Sequence, residues 1–324
     1  MSGKRILLTG ATGFVGSVVQ PALTSAGWMV RGMTRDAERA RRRRPGLEWV
    51  QADVADEASC RAALRGCQAA LYLVHGMGEG AGFHAREVES ARRFARAAAA
   101  EELERLVYLG GVAPARGASQ HLQSRVEVGE VLRAGATPTV ELRASMIVGH
   151  GSLSWLIVRD LAARLPVMVL PSWLKSRTEP VAIDDVVVAL SRALELPLAG
   201  SVCYDIPGPE VLSGRQILEA TALVLGRPLP RMVEVPLLTP RLSSLWVRFV
   251  TRADWAVARE VVVGLTSDLI ARDDRFWTLV GHRQRLDFAA AAQRAIALEG
   301  HDRPAGGAWG AVERALSHER PAAT

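Results

Sequence analysis

The sequence predicts an α/β fold: a doubly wound parallel sheet with helices on both faces, followed by a smaller C-terminal lobe. Three observations predict it. In the first half, short apolar runs alternate with segments of helical periodicity, the pattern of βαβ units. Those runs are continuously apolar rather than alternating, as strands are when helices cover both faces of a sheet. A glycine-spaced turn joins the first run to the first helical segment. The 324 residues, 49% hydrophobic and 23% charged, suffice for one large core with an appended lobe.

Strands are expected at Arg5–Thr9, Met29–Met33, Leu47–Gln51, Ala69–Val74, Arg105–Leu109 and Thr139–Ala144. Helical periodicity fills Val15–Ala26, Glu57–Leu64, Phe83–Ala100 and Gln123–Ala134 between them. After Gly149 the pattern loosens. Ser154–Leu165 reads as a helix, Val181–Ile183 as a short strand running into the helix Asp184–Leu194, and Val202–Ile206 as a returning strand. Ser213 caps a further helix that Gly226 ends. The expected organisation is a nucleotide-binding domain over 1–150, with 178–206 returning to its sheet. A substrate-capping lobe takes 151–177 and 207–324, and its Ala/Gly/Pro-rich tail from His301 is expected to be partly disordered.

The turn after the first strand reads Thr9-Gly10-Ala11-Thr12-Gly13-Phe14-Val15-Gly16. Gly10 permits the tight turn, Gly13 lets a pyrophosphate approach the backbone, and Gly16 lets the helix pack on the sheet. The helix start offers N–H groups and a positive dipole end to the phosphates. This is the Rossmann arrangement for a dinucleotide. An NAD-preferring site places an acid at the end of the second strand; here Thr34-Arg35 stands there, with Asp36 one step beyond. Arg35 can stack on adenine and pair with a 2′-phosphate, which favours NADP(H) over NAD(H). A small register shift that turns Asp36 inward keeps NAD(H) as the alternative. Asp53, after the third strand, is placed to reach the adenine amino group.

A net charge of +6 suggests nucleic acid at first sight. The charge is almost all arginine spread along the chain, however, and the one dense run, Arg39 with Arg41 to Arg44, reads as a solvated surface loop before Pro45-Gly46. No nucleic-acid partner is expected. Cys60, Cys67 and Cys203 fit neither a disulfide framework nor a metal spacing. The most apolar stretch, Leu153 to Leu174, is broken by Arg159, Asp160, Arg164, Pro166 and Pro171, so no membrane span is expected. With no signal-peptide pattern before Arg5, the expectation is a cytoplasmic protein.

The glycine spacing, Arg35 and Asp53 together resemble the short-chain dehydrogenase/reductase superfamily, in particular its atypical, NmrA-like branch. The Leu73-Val74-His75 strand end, Val107-Tyr108-Leu109-Gly110-Gly111 and Glu141-Leu142-Arg143-Ala144 agree with it, as does Glu179-Pro180-Val181-Ala182-Ile183-Asp184-Asp185-Val186. The resemblance covers roughly residues 4 to 226. It implies a cofactor lined by Gly10, Thr12, Gly13, Phe14, Val15, Gly16, Arg35, Asp53, Val54, Leu73, Val74, His75, Gly110, Gly111 and Arg125. Catalytic members use a Tyr-x-x-x-Lys pair with a Ser or Thr at the end of the fifth strand. Here none of Tyr72, Tyr108 and Tyr204 precedes a lysine by four, the matching positions hold His121 and Arg125, and Gly110-Gly111 stands in the serine's place.

Two readings of that departure stay open. His121 can serve as general acid, with Arg125 one turn later bonding ribose hydroxyls; or both are ordinary helix residues of a site that binds without chemistry. His75 is a further catalytic candidate because strand carboxyl ends face the ligand crevice. The glycine-rich stretch Gly76 to Gly82 reads equally as a closing loop or a plain connector. No metal site is expected. On the substrate side stand Trp155, Met168, Trp173, Lys175 and Arg177, and a Trp/Arg-rich stretch with Arg241, Trp246, Arg248, Phe249, Arg252 and Trp255. That stretch reads as a core-facing helix, or else as a lid or a peripheral membrane contact. The expected function is an NADP(H)-dependent oxidoreductase of a hydrophobic carbonyl or enone-like small molecule, with a non-catalytic redox sensor as the alternative.

Overall fold

The computed structural model describes residues 3–74, 82–113, 120–164, 167–171, 175–229, 231–235 and 267–301. Seven parallel strands form its centre: β1 (Arg5–Leu8), β2 (Met29–Thr34), β3 (Glu48–Gln51), β4 (Ala69–Tyr72), β5 (Arg105–Gly111), β6 (Thr139–Ala144) and β11 (Val202–Asp205). They lie in the order β11-β6-β5-β4-β1-β2-β3. The order reverses between β1 and β4, which opens a crevice at their carboxyl ends.

The helices between them are α1 (Phe14–Ser25), α2 (Ala37–Arg43), α3 (Glu57–Leu64), α4 (Phe83–Ala100), α5 (Gln120–Ala134) and α7 (Ile183–Ala193). Alternate residues of β1 serve two cores. Ile6 and Leu8 pack with Val19 and Leu23 of α1 and Val186 and Leu190 of α7. Leu7 packs on the other face with Leu64 of α3, Phe94 of α4 and Leu132 of α5. Apolar surface is therefore removed from water on both sides of the sheet, the dominant favourable contribution to folding, and the continuous apolar runs follow from it.

A third core surrounds Trp155 and joins α6 (Leu153–Arg164), α8 (Gly214–Val224) and α10 (Phe288–His301). Ser213 caps α8 with a reciprocal capping box to Gln216, and Gly226 follows with φ +66°, as their residue types demand. Three two-stranded pairings were not visible in the sequence. β7 (Ile147–Val148) pairs with β10 (Val181–Ala182), and β8 (Val167–Pro171) with β13 (Arg231–Val235), both parallel. β9 (Arg177–Thr178) pairs antiparallel with β12 (Leu212–Ser213). A short helix, α9 (Arg275–Leu279), precedes α10 and sends Phe276 and Trp277 into the α1/α7 core.

One expectation is corrected. The basic run is not a loop: residues 37–43 form α2, with Ala37 and Ala40 buried and the arginines at 39 and 41–43 exposed. The solvated character of the run is as expected; its backbone is not. Residues 302–324, and with them the tail expected to be disordered, lie outside the described residues. No helix among the described residues is long and apolar enough to cross a membrane.

Candidate dinucleotide site

The glycine turn sits where β1 meets α1, beside the end of β4. Thr9 ties the two together: its hydroxyl donates to the Leu71 carbonyl at 3.1 Å and accepts from the Leu73 amide at 2.9 Å. Gly10 has φ +63°, and a Cβ there would lie 2.7 Å from the Leu73 carbonyl oxygen. Only glycine fits on both counts. Thr12 and Gly13 are exposed, while Phe14 and Val15 are half-buried. Helix α1 starts from Gly13 with no side-chain cap and no acidic residue in its first turn. Its leading amides and dipole end therefore meet no side-chain cap and no first-turn carboxylate, which suits a pyrophosphate.

Around this turn the sheet gathers most of the expected contacts. The end of β2 presents Arg35 and Asp36, both exposed. Asp36 accepts from the Arg39 amide at 2.9 Å and so acts as the N-cap of α2. After β3, Asp53 and Val54 are half-buried, and the Asp53 carboxylate accepts from the Ala55 amide at 2.9 Å. Leu73 and Val74 continue β4, and Gly110 and Gly111 end β5. The loop 149–151 closes the ring by packing on Phe14; a Cβ on Gly149 would lie 3.2 Å from its ring. Sequence reasoning did not place that loop at the site.

Arg125 reaches this ring from α5. Its side chain lies over Gly111, where an added Cβ would stand 3.2 Å from its Cδ and 3.5 Å from Nη1. The two departures at this end of the site are thus linked: the long side chain uses the space that a side chain at 111 would take. Burial makes the Arg125 proton easier to lose than usual, opposed first by Tyr108 and then by Glu87. The Tyr108 hydroxyl donates to the Arg125 carbonyl at 3.1 Å, and Ser124, fully buried, donates to Glu87 of α4. Glu87 and Ser124 had no signal in the sequence, because neither their type nor their spacing shows that two helices bring them together.

Of the remaining candidates, residue 121 lies one turn before Arg125 on α5, and its side chain lies outside the described residues. His75 lies outside them as well, as do Trp173 and the stretch from Arg241 to Trp255. Trp155 is corrected from substrate contact to core: it is fully buried and donates to Glu299 at 3.0 Å. Arg177 is exposed and pairs with Asp268 at 2.9 Å. Tyr72 and Tyr108 are both buried, and desolvation pushes each phenol well above its usual range, with their mutual proximity adding for Tyr72. Tyr204 stands on the edge strand β11 with Arg275 stacked over its ring at 5.2 Å. No group of metal-ligating side chains occurs among the described residues.

Against known proteins, residues 10–162 match an NAD(P)H-binding family. A (4-alkanoyl-5-oxo-2,5-dihydrofuran-3-yl)methyl phosphate reductase of Streptomyces griseus is 30% identical over 233 residues, covering 69% of this chain and 75% of that one. A ceramide reductase of Caulobacter vibrioides is 26% identical over 235 residues, 71% of this chain and 73% of that one. Among solved structures, gox2253 superposes with a TM-score of 0.70 at 21% identity, over 93% of this chain and 99% of its own. The Bordetella bronchiseptica enzyme WbmG in complex with NAD gives a TM-score of 0.70 at 14% identity, over 93% and 95%. The two structures share the fold.

Proposed function

This chain belongs to an NAD(P)H-binding family of the atypical short-chain dehydrogenase/reductase superfamily, and we propose that it is an NADP(H)-dependent reductase of a hydrophobic carbonyl or enone-like small molecule. The preference for NADP(H) rests on one observation, the division of labour after β2. Asp36, the acid that would bond the ribose hydroxyls of NAD, is engaged as the cap of α2, while Arg35 stands exposed beside it. A guanidinium at that position pairs with a 2′-phosphate through charge-assisted hydrogen bonds. The substrate class rests on the relatives' names, one an alkanoyl-substituted dihydrofuranone phosphate and the other a ceramide.

The bound cofactor would supply the hydride. The protein's part is to hold it: the α1 amides and Gly13 at the pyrophosphate, Arg35 at the 2′-phosphate, Asp53 at the adenine and Arg125 at the ribose. His121 or His75 would then serve as proton donor, because Tyr72 and Tyr108 are buried with their protons held tightly. The same two tyrosines favour a second reading, an NmrA-like redox sensor that binds without turnover.

The test is equilibrium titration of NADPH, NADP⁺, NADH and NAD⁺ against the purified protein and its Arg35→Ala variant. Loss of the phosphate contact is expected to weaken NADP(H) by roughly 10- to 100-fold, the size of a charged hydrogen bond, and to leave NAD(H) unchanged. Equal affinity for all four nucleotides in the unmodified protein would overturn the NADP(H) assignment. Steady NADPH oxidation with an alkyl enone, lost in His121→Ala or in His75→Ala, separates the reductase from the sensor.

A further inference from the structure

We propose that Glu87 and Arg125 form a charge pair that sets how the protein discriminates between reduced and oxidised nicotinamide dinucleotide. The inference rests on the reading above that the crevice holds NADP(H).

The pair is built from three elements. Arg125 leaves α5 and lays its side chain over Gly111, at the carboxyl end of β5. Its backbone is pinned from below, because Tyr108 of β5 donates to its carbonyl at 3.1 Å. Glu87 crosses from α4 and accepts from the hydroxyl of Ser124, the residue immediately before Arg125. Ser124 is fully buried and Glu87 half-buried, so this contact fixes the carboxylate against α5. Glu87 is near enough for its charge to act on both Arg125 and Tyr108. His84 and Glu127, 2.5 Å apart, hold the same two helices together nearby. The guanidinium therefore stands at the carboxyl end of β5, and the carboxylate is held on the residue next to it in α5.

The consequence follows from the charge of the ligand. NADPH and NADP⁺ carry the same phosphates, so every effect of the protein on those phosphates cancels in the ratio of their affinities. They differ in the nicotinamide ring, which is positive when oxidised and neutral when reduced. A fixed cation at that end of the crevice disfavours the oxidised ring. A carboxylate next to it offsets that effect. The two residues should therefore move the ratio in opposite directions, which a purely structural role would not do.

The experiment is fluorescence titration with NADPH and competition with NADP⁺, on the unmodified protein, Arg125→Gln, Glu87→Gln and Glu87→Asp, with circular dichroism melts to confirm folding. The preference for NADPH over NADP⁺ is expected to fall roughly ten-fold in Arg125→Gln and to rise roughly ten-fold in Glu87→Gln. Glu87→Asp keeps the charge and should stay within about two-fold of the unmodified protein. An unchanged ratio in both Gln variants, or a shift of the same sign in both, overturns the proposal. Should Glu87→Gln fail to fold, Arg125→Gln decides alone, and an unchanged ratio there overturns it. If the unmodified protein binds neither nucleotide, the cofactor reading falls first and this pair falls with it. Binding with unmoved ratios removes only the pair.

Discussion

Gly10, Gly13 and Gly16 stand within one turn, yet an added Cβ meets different surroundings at each. At Gly16 it would lie 2.3 Å from the Gly10 carbonyl oxygen and 2.9 Å from the Ala11 Cα, backbone atoms that cannot yield without moving the turn. At Gly13 the nearest atom is the same carbonyl oxygen at 3.2 Å, and the residue is exposed. Gly16→Ala is thus a packing lesion, expected to cost about 1–3 kcal/mol and to lower Tm by several degrees. Gly13→Ala should melt within about 2 °C of the unmodified protein yet bind NADPH at least roughly ten-fold more weakly, since the methyl stands where the pyrophosphate approaches. Melting curves with parallel NADPH titrations check both, and equal losses of stability would refute the division. Spacing alone revealed the triplet. Which glycine serves the fold and which serves the ligand depends on distances that spacing does not contain. Arg125 over Gly111 was beyond the sequence for the same reason: it joins residues from a helix and a strand through a contact no local pattern records.

At the scale of elements, helices with a wide apolar face were readable and α2 was not. Its buried face is only Ala37 and Ala40, and its other positions are mostly arginine, so the window resembles a solvated loop. What makes it a helix is local. Asp36 caps the first turn by accepting from Arg39, Glu38 lies in that turn and three arginines in the last, each favourable to the helix dipole. Asp36→Ala is expected to destabilise the protein by about 1 kcal/mol. Asp36→Asn, which keeps the capping oxygen, should cost less than half of that and leave NADH affinity unchanged. Urea denaturation and NADH titration of the two variants settle the role: a loss of NADH binding in Asp36→Asn would show that the carboxylate serves the ribose. The short pairs β7/β10, β8/β13 and β9/β12 escaped for a different reason. Each joins segments 33 or more residues apart, and runs of two to five residues carry too little periodicity to announce a partner.

Across the whole molecule, the segment from Asp268 to Phe288 is held to the sheet domain by side-chain contacts, among them Trp277 to the Pro207 carbonyl and His282 to Asp185, and by four carboxylates that accept from its backbone amides. Glu179 accepts from the Ala271 amide at 2.5 Å, Asp205 from Arg272 at 2.7 Å, Asp185 from Leu286 at 3.0 Å and Glu210 from Phe288 at 2.8 Å. Every residue type but proline offers an amide, so these four contacts left no signature in the segment's residue types. The docking can be tested through pH because Glu179 and Asp268, a carboxylate of the segment itself, shift in opposite senses. Burial pushes Glu179 up despite the Ala271 amide. Its folded form holds the proton more tightly than the unfolded chain does, so stability is fullest below about pH 4 and is lost as pH rises through the raised folded value. Glu179→Gln keeps an acceptor oxygen without the charge. It should melt higher than the unmodified protein at pH 7, with the advantage vanishing below about pH 4. Asp268 is pulled down, first by the Arg177 amide and then by its side chain. Its stabilisation is present above the unfolded value of about 3.9 and is lost as pH falls through the lowered folded value. Asp268→Asn should therefore melt lower at pH 7, with the deficit closing in acid. Melting curves between pH 3 and 8 would show the two variants departing from the unmodified protein in opposite directions at neutral pH and converging with it at the acid end. A shift of the same sign at pH 7 would mean that the Ala271 hydrogen bond outweighs the burial of Glu179, and that the segment is clamped there by charge rather than in spite of it.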